Sequence, residues 1–450
     1  MMFRDLVRRL LRHRAGNVAV VFALSMVPVV FLCGMALDYS AATQKQQRLN
    51  AAADAAALAA VSPALMTQTI AQARTVATNF FTGQASAITG ATFNAPVVTV
   101  TQSGLTRTAT VTFSASSANS FANVLGKTSW PLSGTATASS AASPNIDFYM
   151  MLDNSPSMEI AATTAGISTM IANTPQEDSG NGCAFACHQS SPNSTDNTGL
   201  PAGWDNARLA QSLGVTTRIQ IMATATQSLT STASSLASQT GAAFRMGVYT
   251  FNGSNSGSAL TTVQSRTSNL TLAGTAAAGV GALEVCAENY INCANQPDGD
   301  TDTDFASALS SMNSIMSTPG TGASGNLPQA ILFIVTDGLE DKKASTCPYP
   351  LNVWPNFSRC IAPFDITACQ TIKNRGIQIA ILYTEYYPLT SNFFYQQYIA
   401  PFQSSIGTNL QSCASPGLYY TEVTAAGNIT NSMTTLFNSV VQNSGPHLTN

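Results

Sequence analysis

Three oxygen-bearing side chains stand at every second position in Asp153-Asn154-Ser155-Pro156-Ser157. One carboxylate and two hydroxyls in so tight a loop form a set of hard ligands, suited to Mg²⁺ first and also to Mn²⁺ or Ca²⁺. The residues before them, Ile146-Asp147-Phe148-Tyr149-Met150-Met151-Leu152, are apolar but for Asp147. A short run of that kind, bounded by turn residues, reads as a buried strand of a parallel sheet. Ligands of open α/β sheets bind just past the carboxyl ends of strands, where Asp153, Ser155 and Ser157 fall. The same Asp-Asn-Ser-Pro is also ordinary turn chemistry, so the loop needs partners elsewhere in the chain.

The downstream pattern supplies elements that position such partners. Helices are expected over 218–237, 305–316, 363–375 and 425–441, with strands over 244–252, 329–336, 377–383 and 418–423. Strands alternating with helices imply a mostly parallel, doubly wound sheet. Thr303 precedes the second helix by two residues, and Asp337 follows the strongest strand in Val335-Thr336-Asp337-Gly338.

Asp-x-Ser-x-Ser, a Thr six residues before Leu309 and a strand-end Asp-Gly come in the order found in von Willebrand factor type A domains, and residues 145–442 resemble that family. The resemblance implies a metal-ion-dependent adhesion site built from Asp153, Ser155, Ser157, Thr303 and Asp337, which grips a protein partner. Two features depart from the family. Its Gly-Gly before the Thr is replaced by the acidic run Asp298-Gly299-Asp300-Thr301-Asp302-Thr303-Asp304, which lacks the Gly and closing Glu of an EF-hand and reads as a solvated loop. Long insertions at 159–204 and 339–362 leave strand ends on the same face and are expected to rim the ion as loops.

The amino-terminal third is of another kind. Arg4, Arg8, Arg9, Arg12 and Arg14 precede a chargeless stretch from Ala15 to Leu37. At about 1.5 Å per helical residue that stretch crosses a ~30 Å hydrocarbon core. The arginines predict a cytoplasmic amino end, with the bulk of the chain on the other side of the inner membrane. The helix is expected to continue to about residue 62 through the Ala-rich AAADAAALAA tract. Residues 63–137 read as a small pilin-like segment of helix (64–82) and β-strands, including a hairpin around Gly104 and a strand over 129–137. Residues 138–144, ASSAASP, read as a linker, and 443–450 as a tail.

Arg14-Ala15-Gly16-Asn17, Leu37-Asp38-Tyr39 and Ala51–Ala60 together resemble the amino-terminal segment of Tad (Flp) pilus-assembly proteins of the TadE/TadG group. Pseudopilins of that group carry a Glu five residues after the processed Gly. Val21 stands there, which favours a permanently anchored, TadG-like reading over a processed pilin.

Composition narrows the function. Charged residues are only 9% and the net charge is −3, so no basic footprint for nucleic acid exists. Of nine cysteines, Cys33 lies in the apolar span and the other eight in the later two thirds, which points to disulfides in an oxidising compartment. Cys183-Ala184-Phe185-Ala186-Cys187-His188 comes near a c-type haem site, but its C-x₃-C-H spacing is one residue too long, and a structural disulfide is the simpler expectation. No phosphate loop, nucleophile elbow or HExxH is present, so neither an enzyme nor a small-molecule substrate is expected. The resemblances imply a membrane-anchored assembly protein whose partner is a pilin, a pseudopilin or another pilus-machine component. The alternative is a cell-surface adhesin that binds host or matrix protein.

Overall fold

The computed structural model describes residues 14–188, 200–253, 259–284, 303–343, 351–354, 357–424 and 427–444. The chain divides into two compact units, Met1–Ala142 and Ser143–Asn450.

In the first unit a single helix, α1, runs from Arg14 to Ala60, through Pro28. Its segment from Val18 is long and apolar enough to cross a membrane. Further along, Leu49, Ala52, Ala53, Ala56, Ala57 and Ala60 are fully buried at helical spacing. They pack with Ala73, Ala77 and Phe81 of α2 (Ile70–Ser86) and with Val100, Val111 and Phe113 of a small antiparallel sheet. That sheet comprises β1 (Ala91–Phe93), β2 (Val97–Ser103), β3 (Thr106–Ala118) and β4 (Ser129–Ala141), with β3 at its centre. The expected hairpin turns at Gly104, whose φ is +56°.

The expected helix over 64–82 is interrupted. Thr69 and Gln72 form a capping box that starts α2 afresh, and buried Arg107 donates to the carbonyls of Leu65 and Gln68 in the preceding turn. The 138–144 stretch is not all linker, because β4 continues to Ala141, paired with Thr106. Alternating Ala and Ser masked a strand that depends on its neighbour rather than on β-propensity.

Asp38 ties two distant parts of this unit together. Its carboxylate accepts the backbone N–H groups of Ser120, Phe121 and Ala122 at 2.9, 2.9 and 2.7 Å, so a helix side chain caps a turn more than eighty residues away.

The second unit is a three-layer α/β domain. Its six-stranded sheet has the order β13-β12-β8-β5-β6-β7, formed by β5 (Ile146–Asp153), β6 (Phe244–Phe251), β7 (Leu260–Thr267), β8 (Gln329–Thr336), β12 (Gln378–Thr384) and β13 (Tyr420–Val423). All neighbours pair in parallel except β6 and β7. One face is covered by Arg218–Thr240, Leu270–Ala278 and Ile429–Ser444. The other is covered by Thr164–Asn173, Phe305–Ile315, Thr367–Asn374 and Gln403–Cys413. From β5 the chain moves outward to β6 and β7, then returns to β8 on the other side. The winding therefore reverses between β5 and β8.

Both insertions carry more structure than loops. The first contains the helix Thr164–Asn173. The second is an antiparallel three-stranded sheet of β9 (Leu339–Lys343), β10 (Leu351–Trp354) and β11 (Phe357–Pro363). The helix expected from 363 begins only at Thr367, because the strand runs through Pro363. The closing helix extends to Ser444, two residues past the expected domain end. Edge strand β7 and the helix at Leu270 escaped the pattern, since LTTVQSRT is largely exposed and its register is irregular. At the sheet's amino-terminal end, buried Asp147 accepts Arg245 at 2.6 Å and Arg266 at 2.6 Å, joining β5 to β6 and β7. A disulfide joins Cys369 to Cys413, and Cys360 is also disulfide-bonded. Cys286, Cys293 and Cys347 lie outside the described residues.

Replacing Asp38→Ala leaves three amides without their acceptor. Backbone donors left without an acceptor are unfavourable, so the first unit is expected to unfold at lower denaturant. Chemical denaturation in detergent of a full-length chain carrying Trp204→Phe and Trp354→Phe, followed by Trp130 fluorescence, measures it, and an unchanged midpoint would refute the clamp.

Candidate metal centre

Strands β5 and β8 are neighbours, with Leu152 opposite Val335. Their carboxyl ends therefore deliver Asp153 and Asp337 to one point, the place where the winding reverses. Open α/β sheets bind ligands at such a switch point, because the loops leaving the two strands diverge to opposite faces and open a crevice. Ser155 and Ser157 follow in a short 3₁₀ turn that begins at Pro156.

The side chains interlock. Asp153 Oδ1 accepts the Ser155 amide at 3.0 Å and the Ser155 hydroxyl at 2.6 Å. Ser155 and Ser157 hydroxyls are 3.0 Å apart. Thr336 Oγ1 donates to Asp153 Oδ2 at 2.6 Å. Asp337 Oδ1 accepts the Leu339 amide at 3.2 Å, while Asp337 Oδ2 is buried with no hydrogen-bond partner. Asp153 and Asp337 are both wholly buried. Gly338 turns the chain sharply behind them at φ +72°, and a Cβ there would lie 2.6 Å from Ile406 Cγ2.

Two buried carboxylates side by side are costly as anions. Burial, then the neighbouring Asp337, push Asp153 up from its ordinary 3.8 to about 7. Burial raises Asp337 as well, against the Ser157 hydroxyl, the Leu339 amide and the Arg218 guanidinium, which lower it. Arg218 is itself buried and donates to the Thr384 and Glu385 carbonyls.

Four of the five sequence-predicted ligands, Asp153, Ser155, Ser157 and Asp337, are thus brought together. Thr303 is held close by its backbone. It exchanges both amide hydrogen bonds with Asp341 at 2.9 Å, and the next amide, of Asp304, donates to the carbonyl of Asn252 just past β6. The Thr303 hydroxyl makes no hydrogen bond to the other four among the described residues. Asp304 caps the following helix, accepting Ser307 at 2.9 Å from nitrogen and 2.6 Å from oxygen. The rest of the acidic run, 298–302, lies outside the described residues.

The donor set fits a hard divalent cation. It offers a carboxylate oxygen with no partner, a second carboxylate beside it and hydroxyls between them. Among the described residues no group of three or more His, Cys, Asp or Glu is placed to hold a metal, so any ion here would rely on the hydroxyls as well as the carboxylates. Thr336 and Arg218 were missed by sequence reasoning. Thr336 had a signal, as a hydroxyl inside an apolar strand directly before Asp337. Arg218 had none, because its approach depends on helix packing.

The CAFACH loop folds inward. Cys183 and Cys187 are buried, the Cys183 thiol lies 3.6 Å from the Phe185 carbonyl, and His188 Nδ1 sits 2.9 Å from Asp205. The His188 amide donates to Glu159 at 3.1 Å.

A pH dependence follows. Asp153 and Glu340 are both raised to about 7, Glu340 mainly by burial, from ordinary values of 3.8 and 4.5. Between those limits the folded, metal-free chain binds more protons than the unfolded one, so its stability falls as pH rises from about 5 to 7. Thermal unfolding in chelator should show this decline, and Asp337→Asn should flatten it and raise Tm near pH 7. A stability that instead rises with pH over that interval would contradict the buried pair.

No curated protein matches the sequence. Solved structures with slight similarity include the following two. One is the pilus adhesin SpaC from Lactobacillus rhamnosus GG, at 9% identity and TM-score 0.33, over 79% of this chain and 34% of that one. The other is an uncharacterized membrane spanning protein from Vibrio fischeri, at 12% identity and TM-score 0.18, over 53% of this chain and 71% of that one. The chain thus spans about a third of the adhesin's length. Residues 16–73, which include Leu37-Asp38-Tyr39 and the Ala-rich tract, match the family model of putative Flp pilus-assembly TadE/G-like proteins.

Proposed function

We propose that this chain is a membrane-anchored assembly protein of the Tad/Flp pilus system, and that its second unit is a von Willebrand factor type A domain binding a protein partner. The single observation that carries the binding role is the wholly buried Asp153–Asp337 pair at the switch point, with an unpartnered Asp337 oxygen. A stable fold rarely keeps two adjacent buried carboxylates for packing, since apolar residues of similar volume serve better.

In this reading Asp153, Ser155, Ser157, Thr303 and Asp337 hold a divalent cation, Mg²⁺ by the hardness of the oxygens. When bound, it supplies the positive charge that receives an acidic side chain of the partner. Ser155 and Thr336 fix the Asp153 carboxylate from both sides, so that its orientation does not depend on the ligand. Arg218 offsets part of the negative charge from behind. The Thr303–Asp341 pairing braces the rim against the inserted strand at Leu339–Lys343. The partner is a pilin, a pseudopilin or another component of the machine, and the chain acts as a binding protein rather than an enzyme. The amino end lies in the cytoplasm, the apolar helix in the inner membrane, and the rest of the chain on the far side.

Deleting the gene should abolish pili or reduce them at least ~10-fold by electron microscopy. A full-length Asp153→Ala chain should reach the membrane fraction at normal level yet fail to restore them. Pili unchanged in number and length after deletion would end the assembly reading. Restoration by Asp153→Ala would end the role of the site, and recovery of the chain on the cell surface would favour the adhesin alternative.

A further inference from the structure

The turn that Asp38 clamps exposes a compact apolar tip. Phe121, Val124 and Leu125 are 42%, 72% and 60% exposed in a single 3₁₀ turn, Ala122–Leu125, that Phe121 precedes and Gly126 ends at φ +86°. A soluble protein can carry one such residue without consequence, whereas three in five positions form a patch.

Its place on α1 identifies what covers it. The Phe121 ring lies on Gly34, where a Cβ would meet its Cγ at 2.5 Å. Any larger residue at 34 would push the turn off the helix. Gly34 stands about 29 Å along the helix from Ala15, at ~1.5 Å per residue, and the hydrocarbon core is about 30 Å thick. The ring is therefore level with the far edge of the apolar span. Val30 and Leu37, one helical turn before and after Gly34 on the same side of the helix, are themselves 52% and 61% exposed, so exposed apolar surface of the helix flanks the turn.

One helical turn further out the chemistry changes as it does across a membrane–water boundary. Asp38 binds the turn's first amides. Tyr39 meets Trp130 edge-on with ring centroids 6.2 Å apart, and Lys127 Nζ lies 3.8 Å over the Trp130 ring. Amphipathic aromatics and a lysine at this level are the composition of an interfacial belt.

We infer that the 121–125 turn inserts into the membrane interface at the carboxyl-terminal end of the span, so that the first unit rests on a phospholipid bilayer by two contacts, the helix and this tip. The occupant is the headgroup–acyl boundary of the lipid. Phe121, Val124 and Leu125 enter it, while Tyr39, Trp130 and Lys127 lie at the headgroups. The inference rests on α1 being a membrane anchor.

The test uses the full chain reconstituted into vesicles of phosphatidylethanolamine and phosphatidylglycerol. A dansyl-bearing amino acid replaces Leu125 in one preparation and Ser103, in the distant hairpin turn, in another. Flotation first reads the anchor. Emission is then compared with and without lipid carrying a nitroxide near the top of the acyl chain. The expected result is co-flotation, blue-shifted emission at 125 quenched at least ~2-fold, and water-like, unquenched emission at 103. A chain that floats while position 125 stays water-like, or is quenched no more than 103, overturns the insertion and leaves the anchor standing. A chain that does not float overturns the anchor and the insertion with it. Shielding of position 125 in whole cells but not in lipid-only vesicles means that a protein covers the tip, and also overturns the inference.

Discussion

Two carboxylates buried side by side, Asp153 and Asp337, set the terms for the second unit. Neither reaches water, and each raises the cost of ionising the other. The surrounding groups answer that cost: hydroxyls from Ser155 and Thr336, the Leu339 amide and the Arg218 guanidinium. Asp337 Oδ2 is nonetheless left without a hydrogen-bond partner. The sheet makes the pairing unavoidable, because β5 and β8 run parallel in register and end together where the winding reverses. Asp147 with Arg245 and Arg266 pins the other end of β5, so the strand cannot slide to relieve the pair.

The first unit is governed by a different constraint. A helix long enough to cross a membrane has to hand over, without a break, to a face that packs on a sheet. Alanine makes the handover possible. Small side chains at 52, 53, 56, 57 and 60 let α2 and the strands approach closely, as Gly34 does for Phe121. Leu37-Asp38-Tyr39, which carried part of the sequence resemblance, has a concrete task in this geometry. The buried carboxylate between two exposed apolar residues fastens the turn at 120–122 to the helix where the apolar span ends.

Much of this was legible in the residues. The strand before Asp153 and the strand before Asp337 are apolar runs closed by turn residues, and that signal needs no knowledge of the neighbours. The long amino-terminal helix was equally plain from its lack of charge and its alanines. What stayed hidden depends on contacts distant in sequence. Strand β4 beyond Thr137 is Ala and Ser, and becomes a strand only by pairing with β3. The inserted sheet after Gly338 and the polar edge strand β7 have no periodicity of their own to announce them. Thr303 was placed by its motif position, and the structure brings its backbone, not its hydroxyl, into the hydrogen-bonded frame around the pair.

Calorimetric titration of the full-length chain with Mg²⁺ in detergent, at a pH above about 7 where the pair is ready to ionise, tests the central claim most directly. The account predicts saturable binding of about one ion per chain, abolished in both Asp153→Asn and Asp337→Asn while each variant keeps its fold by circular dichroism. Absence of saturable binding to the unaltered chain, or undiminished binding by either folded variant, would contradict it.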